Sequence, residues 1–148
     1  MATPNQPAGD GVSAALTSDE TTFAALAHFL QLVTWIIGPL IIFGLKRRSP
    51  FVAFHALQAF FLQVAYTSLA ILSIVVLMWG MFTLLEPGKG PAASTPALDA
   101  LFVLTSVLMV GGWALMFYFA ISAGIKAGRG QWKEYPIVGS WARKLVGV

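Results

Sequence analysis

Apolar residues dominate three long stretches of the chain, and the charged residues gather between and beyond them. Residues 23–45 carry no charge, and as a helix these 23 residues would span about 35 Å, enough to cross a hydrocarbon core of about 30 Å. Within them, Gly38-Pro39 predicts a kink. Residues 51–85 form a charge-free run that is too long for one straight crossing, which predicts an interfacial start. The pattern predicts three transmembrane helices, at about 23–45, 52–80 and 100–125.

Capping residues mark where two of these helices begin. Thr17 followed by Glu20 has the spacing of a capping box, in which each residue bonds the backbone of the other. Ser49 can cap a helix whose first residue is Pro50, because proline needs no N–H partner at that position. These signals predict helix starts near residues 18 and 50.

The two ends of the chain differ from the apolar stretches. Residues 1–17 are rich in Pro, Gly, Ala and small polar residues, which predicts disorder, and without Lys or Arg they do not fit a cleaved signal peptide. Near the other end, Ile137, Trp141 and Leu145 recur every four residues, which favours a short helix lying in the membrane surface, with a loose tail as an equal alternative. The predicted fold is an all-α membrane bundle, with a disordered tail (1–17), a three-span domain (18–137) and an interfacial tail (138–148).

The composition supports a membrane protein and argues against an enzyme. Hydrophobic residues make up 57% of the 148, charged residues only 10%, and the mean hydropathy is +0.78, all far from a soluble domain. The chain has no cysteine, so a disulfide or thiolate metal site is excluded. No phosphate loop, paired carboxylates or nucleophile motif occurs within a span. We therefore predict no enzymatic activity, no cofactor and no metal.

The basic residues predict an orientation. With three spans, eight of the nine basic residues lie on the side that holds the 46–50 turn and the C-terminus. Because Lys and Arg near span ends favour the cytoplasm, this side is predicted to be cytoplasmic in a bacterial inner membrane, with the N-terminus outside. The same charges suit lipid headgroups, so nucleic acid is not needed as a partner. The residues predicted to contact headgroups are Lys46, Arg47, Arg48, Arg143 and Lys144.

Five histidine and glutamine side chains fall inside the first two predicted spans: His28, Gln31, His55, Gln58 and Gln63. Measured from the basic side, Gln31 and Gln63 come out about 21 Å and about 18 Å deep, so they are predicted to hydrogen-bond to each other. His28 and His55 come out about 20 Å apart, which argues against one metal or haem shared within a monomer.

Hydrogen bonds between helices are the favoured role for these polar residues, since such bonds are common in membrane bundles. The alternative is a polar face turned toward a partner protein, a transiting polypeptide or a water path. His55 also raises the hypothesis of a pH sensor near the basic side.

The third predicted span carries one polar aromatic residue and several small residues. Tyr118 falls near the depth of Gln58, and the glycine pair at 111–112 falls near the depth of the other two glutamines. Small residues let helices approach closely, either within the monomer or between monomers of a homo-oligomer. The residues predicted to serve such packing are Gly111, Gly112, Ala120, Gly124 and Gly128.

Three longer stretches together carry a family resemblance: "FAALAHFLQL", "IGPLIIFGLKRRSPFVAFHALQAFFLQ" and "AISAGIKAGRGQWKEYP". Over about residues 20–137 the chain resembles small bacterial membrane proteins that are similar to the twenty-kilodalton component of the chloroplast inner-envelope translocon. The resemblance implies a role in protein translocation or membrane-protein assembly. The positions that match the family pattern are His28, Pro39, Pro50, Phe51, His55, Gln58, Tyr135 and Pro136.

Two other classes of function stay open beside this one. The chain could form a homo-oligomeric pore for ions or small solutes, which would need an interface such as the small residues of the third span. It could also be an accessory subunit that stabilises a larger membrane complex.

Overall fold

A computed structural model of the chain describes residues 15–84 and 95–147, and these residues form helices joined by short connections. The all-α prediction is confirmed. The proposed disorder at 1–17 falls outside the described residues except for residues 15–17, as does most of the connection at 86–97. The five helices are α1 (Ser18–Thr34), α2 (Ile37–Lys46), α3 (Pro50–Leu84), α4 (Pro96–Gly128) and α5 (Val138–Val146).

The predicted capping box starts α1. The Glu20 N–H donates to the Thr17 hydroxyl at 3.2 Å, and the Thr17 N–H donates to the Glu20 carboxylate at 2.9 Å. The start of α3 also matches its signals, because Pro50 is its first residue and the Ser49 hydroxyl accepts from the Val52 N–H at 3.4 Å. Local capping chemistry is therefore readable in the sequence at both helix starts.

The first predicted span, 23–45, does not form. The chain reverses at Trp35, which has a positive φ of 61°, and α2 runs back along α1 as a helical hairpin. The two ends of the hairpin meet: Lys46 Nζ lies 3.7 Å from the Asp19 carboxylate, and the Ser49 hydroxyl donates to Glu20 at 2.6 Å. An apolar run of this length fits one crossing or two shorter helices equally well, so hydropathy alone could not separate them.

Gly38 explains how the two arms of the hairpin approach so closely. A Cβ at this position would lie 2.2 Å from the Thr34 hydroxyl oxygen and 2.7 Å from the Leu30 Cβ, so only glycine fits. Pro39 is buried in the first turn of α2, where its missing N–H leaves no bond unmade. Gly38-Pro39 thus belongs to the start of the returning helix, and the predicted kink within a single helix is wrong.

The helices α3 and α4 are the two described helices long and apolar enough to cross a membrane. They pack against each other near their middles, where a Cβ at Gly112 would lie 3.2 Å from the Leu69 side chain. The three predicted spans are therefore not confirmed, and two of the described helices are candidate spans.

The short helix α5 packs on the first half of α3 through its buried residues Val138, Gly139 and Ala142. Its opposite face leaves Trp141 and Leu145 exposed. The predicted short C-terminal helix is thus present, and its position relative to a membrane stays a prediction.

The hairpin changes which parts of the chain lie together. The start of α1, predicted to lie opposite the 46–50 turn, lies beside it, and Asp19 and Glu20 lie among the basic residues. We call this side of the molecule the basic end and the side where α3 ends and α4 begins the far end. The basic end carries Lys46, Arg47, Arg48, Lys126, Arg129, Lys133, Arg143 and Lys144.

The core lies toward the basic end. Nine consecutive residues of α3, from Phe51 to Ala59, are buried, which means that this part of the helix is enclosed on every side. Its neighbours are α1 and α2 on one flank, and α5 with the segment 131–135 on the other.

Candidate functional site

A network of hydrogen-bonded polar side chains lies within this core. His28 of α1 and His55 of α3 are fully buried, and His28 Nε2 lies 3.0 Å from His55 Nδ1. The other nitrogen of His28, Nδ1, lies 3.0 Å from the hydroxyl of Tyr135, which follows α4. That hydroxyl donates to the backbone carbonyl of Phe119 in α4 at 2.9 Å. This hydrogen-bond network therefore connects α1, α3, α4 and the segment after α4.

The bonds define a direction for the protons. Since the Tyr135 hydroxyl donates to Phe119, it accepts from His28 Nδ1, and neutral His28 then accepts at Nε2 from His55 Nδ1–H. His55 Nε2 is buried and has no hydrogen-bond partner among the described residues; the backbone of Gln131 lies nearby without hydrogen-bond geometry. Burial raises the pKa of Tyr135, with a smaller opposing effect from the neighbouring Gln31 amide, so the hydroxyl keeps its proton.

Gln58 fastens the segment after α4 to α3. Its Nε2 donates to the Lys133 carbonyl at 2.8 Å, and its Oε1 accepts from the Tyr135 N–H at 2.7 Å. Gly139 of α5 lies against the same amide, since a Cβ there would come within 2.8 Å of Gln58 Oε1. One buried side chain thus replaces the backbone partners that an irregular segment lacks.

Aromatic rings enclose His55. Its ring centroid lies 4.6 Å from that of Phe51, 5.1 Å from that of Phe54 and 6.4 Å from that of Trp132. The first two are fully buried, whereas Trp132 is 42% exposed and covers the group from outside. Phe54 and Trp132 both lie in the stretches that carry the family resemblance, but neither was predicted to belong to a site.

The predicted separation of the two histidines, about 20 Å, is wrong. That distance was measured from the end of a span that does not form, and the hairpin brings His28 back to the level of His55. The described residues hold no cluster of three or more His, Asp or Glu side chains that could bind a metal ion. His28 and His55 therefore have no third such side chain beside them among these residues.

Gln31 and Gln63 are both buried but do not bond to each other. Neither amide atom of Gln31 has a hydrogen-bond partner among the described residues; its side chain lies close to the Tyr135 hydroxyl without hydrogen-bond geometry. Gln63 Oε1 also lacks a partner there. Tyr118, predicted to lie near the depth of Gln58, is 65% exposed and points away from the core.

The small residues of α4 lie on two different faces. Ala120 is buried, and a Cβ at Gly124 would lie 2.8 Å from the Phe29 ring of α1. Gly128 faces Ala25 of the same helix at 3.6 Å, so this stripe packs within the monomer. Gly111 borders open space.

The remaining predicted positions lie at the basic end. Pro136 is exposed directly after the buried Tyr135 and leads into α5. Lys46 pairs with Asp19 and lies 4.5 Å from the centre of the Phe23 ring, and Arg143 pairs with Glu134. Arg47, Arg48 and Lys144 are exposed.

The arrangement binds and orients chain segments rather than presenting an open reactive group. Its polar atoms face one another or enclosing rings, and every segment that it joins lies at the basic end. The described geometry is that of a buried hydrogen-bond network that fixes the fold.

Comparison with known proteins overturns one expectation and supplies another. Searches of curated proteins and of solved structures gave no significant match. The match to a family profile is to a magnetosome family and not to a translocon family, so the predicted kinship to the chloroplast component is wrong. That profile covers residues 19–142, from the first turn of α1 into α5, and includes the whole buried network. The chain belongs to the magnetosome magnetite crystal formation protein family.

Proposed function

We propose that this protein is a non-enzymatic component of the magnetosome membrane that acts in magnetite crystal formation. The observation that carries the proposal is the family match across residues 19–142, which takes in both long apolar helices. Two helices of this length and composition suit a protein that remains in the bilayer while a mineral grows beside it. Translocation has no support from this family.

The proposed orientation turns the basic end toward the cytoplasm. Eight of the nine basic residues lie there, and Lys and Arg near span ends favour the cytoplasmic side. With two spans, both ends of the described chain then face the cytoplasm, and the far end faces the compartment that holds the crystal. This orientation revises the prediction of an outside N-terminus.

The buried network has a structural part in this proposal. Gln58 and Tyr135 attach the segment after α4 to α3, and His28 attaches the hairpin to both. Loss of the network would loosen the basic end while leaving the two long helices apolar enough to insert. The lipid bilayer is the partner that the exposed apolar surface requires.

A pore is not favoured by the packing. Gly124 and Gly128, which would have supplied an interface between monomers, face α1 of the same chain. The hairpin also replaces one of the three spans from which a lumen would have been built.

The proposal is tested by removing the gene from a magnetosome-forming bacterium that carries it and restoring it in variant form. We expect the deletion to change crystal size, number or shape in electron micrographs, and the wild-type gene to restore them. Tyr135→Phe should restore them less well, with a lower protein level on immunoblots, because the network is broken. The matched control is Tyr118→Phe, whose hydroxyl lies on an exposed side chain. Unchanged crystals after deletion would overturn the proposal.

A further inference from the structure

The described part of the chain is much wider at the basic end than at the far end. The hairpin tip lies at the middle of α3, because the Trp35 indole N–H donates to the hydroxyl of Thr67 at 2.8 Å, and Thr67 is the central residue of α3 (Pro50–Leu84). The hairpin therefore accompanies the first half of α3 and no more of it. Toward the far end, α3 and α4 are the described helices that continue.

The hairpin presents an apolar outer surface. At about 1.5 Å per residue, α1 is about 25 Å long and α2 about 15 Å, so both fit within one leaflet or slightly beyond it. Val33 is 85% exposed, and Ile37 and Leu45 are also mostly exposed. Hydrocarbon is the environment in which such side chains are stable, since in water they would form an exposed apolar patch.

The helix α5 widens the same half at the level of the headgroups. Its inner face packs on the start of α3, and its outer face exposes Trp141 and Leu145 next to Lys144. An apolar face bordered by basic residues is typical of a helix that lies in the membrane interface.

The half of the molecule toward the far end, which we call the far half, is narrow, and its two described helices pack loosely. The side chains along α3 from Ile71 to Phe82 are largely exposed, as are those of α4 from Phe102 to Val110. A groove of about 520 Å³ separates the two helices there, lined by Leu77, Met81 and Phe102 among others. Among the described residues, nothing in the far half corresponds to the hairpin and α5 of the other half.

From this shape we propose that the protein acts as a one-sided wedge that concentrates on strongly curved, anionic membranes, with its basic end in the convex leaflet. A body that adds area to one leaflet and little to the other is accommodated with least strain where that leaflet is expanded. The eight basic residues at the wide end select anionic headgroups on that surface. The inference rests on the chain being a membrane protein and does not depend on a role in crystal formation.

The test is a measurement of protein density against vesicle size. The full chain, carrying a fluorophore at its C-terminus, is reconstituted into vesicles of mixed neutral and anionic lipid with a broad range of diameters. Fluorescence of single vesicles gives protein per membrane area, and an added quencher separates molecules with the basic end outside from those with it inside. We expect density to rise several-fold toward the smallest vesicles for the outward orientation and to fall for the inward one. Density independent of diameter in both orientations overturns the proposal.

Matched variants locate the effect in the wide half. Trimming the hairpin with Val33→Ala, Ile37→Ala and Leu45→Ala together should weaken the dependence on diameter. Trimming the far half equally, with Ile71→Ala, Leu72→Ala and Val103→Ala, should leave it unchanged or strengthen it. All six side chains are about half exposed or more, so both variants should keep the helical signal in circular dichroism. An equal loss in both variants would mean that hydrophobicity, and not the wedge, sets the density, and would also overturn the proposal.

Discussion

The two halves of α3 have similar apolar sequences and opposite surroundings. From Phe51 to Ala59 every side chain is buried, and this half holds His55 and Gln58. From Ile71 to Phe82 most side chains are exposed, and the polar residue there, Ser73, is small. The first half can carry large polar groups because neighbouring segments supply hydrogen-bond partners, whereas a large polar group in the second half would face lipid. Polar residues within an apolar run thus mark the part of the helix that other segments enclose.

The largest difference between the halves should come from removing an aromatic ring in each. Phe54 is fully buried between α5 and the ring of His55, so Phe54→Ala should lower the free energy of unfolding by about 3–5 kcal/mol. Phe82→Ala removes a mostly exposed ring of the far half and should cost much less. Chemical unfolding in detergent micelles, followed by circular dichroism, measures both. Equal losses would mean that the two halves are equally packed.

The α1–α2 hairpin, which packs on the first half of α3, should be destabilised by substitution of one glycine. Gly38→Ala places a methyl group against Thr34 and Leu30, and overpacking of this kind costs about 1–3 kcal/mol. Gly44→Ala is the matched control on the same helix, because a Cβ there meets nothing within 4 Å, and alanine favours the helix. Unfolding midpoints should therefore move in opposite directions. A loss of stability in both variants would contradict the close approach at Gly38.

The capping residues that begin α1 and α3 could be predicted from the sequence, whereas the reversal of the chain between α1 and α2 could not. Thr17 with Glu20 and Ser49 with Pro50 act locally, so their spacing is enough to locate helix starts. The reversal at Trp35 depends on the fit of Gly38 against α1, a contact that no hydrophobic pattern records.

The error in the predicted path of residues 23–45 also affected the prediction of the candidate site. His28, His55, Gln58 and Tyr135 were all named from the sequence, but the depth of His28 was calculated along a first span that the structure replaces with a hairpin. The network that joins them therefore appeared only in three dimensions. Trp132 was missed as part of the site because its contact with His55 joins residues 77 positions apart, which no local spacing records.

The hydrogen-bond network of the enclosed half should be weaker than its packing but still measurable. Tyr135→Phe keeps the buried ring and removes the hydroxyl, which leaves His28 Nδ1 without its partner at a cost of about 1–3 kcal/mol. Tyr118→Phe changes an exposed side chain and should have almost no effect. Thermal unfolding of both variants in the same detergent makes the comparison. If the two shifts were equal, the network would not contribute to stability.

The smallest effect is expected at the polar edge of the enclosed half, where Glu20 closes the hairpin. The Ser49 hydroxyl and then the Thr17 N–H donate to the Glu20 carboxylate and hold its pKa below the ordinary value, with a further contribution from Lys46. A lowered pKa means that the carboxylate form stabilises the fold above the ordinary pKa, and that this stabilisation is lost as pH falls through the folded-state pKa. Glu20→Gln should therefore unfold at a slightly lower temperature than wild type near neutral pH, and the two should converge in acid. Ser49→Ala removes the largest cause of the shift and should flatten the pH dependence of the wild-type side chain. A gap between wild type and Glu20→Gln that stays constant with pH would show that the carboxylate acts through shape and not through its charge.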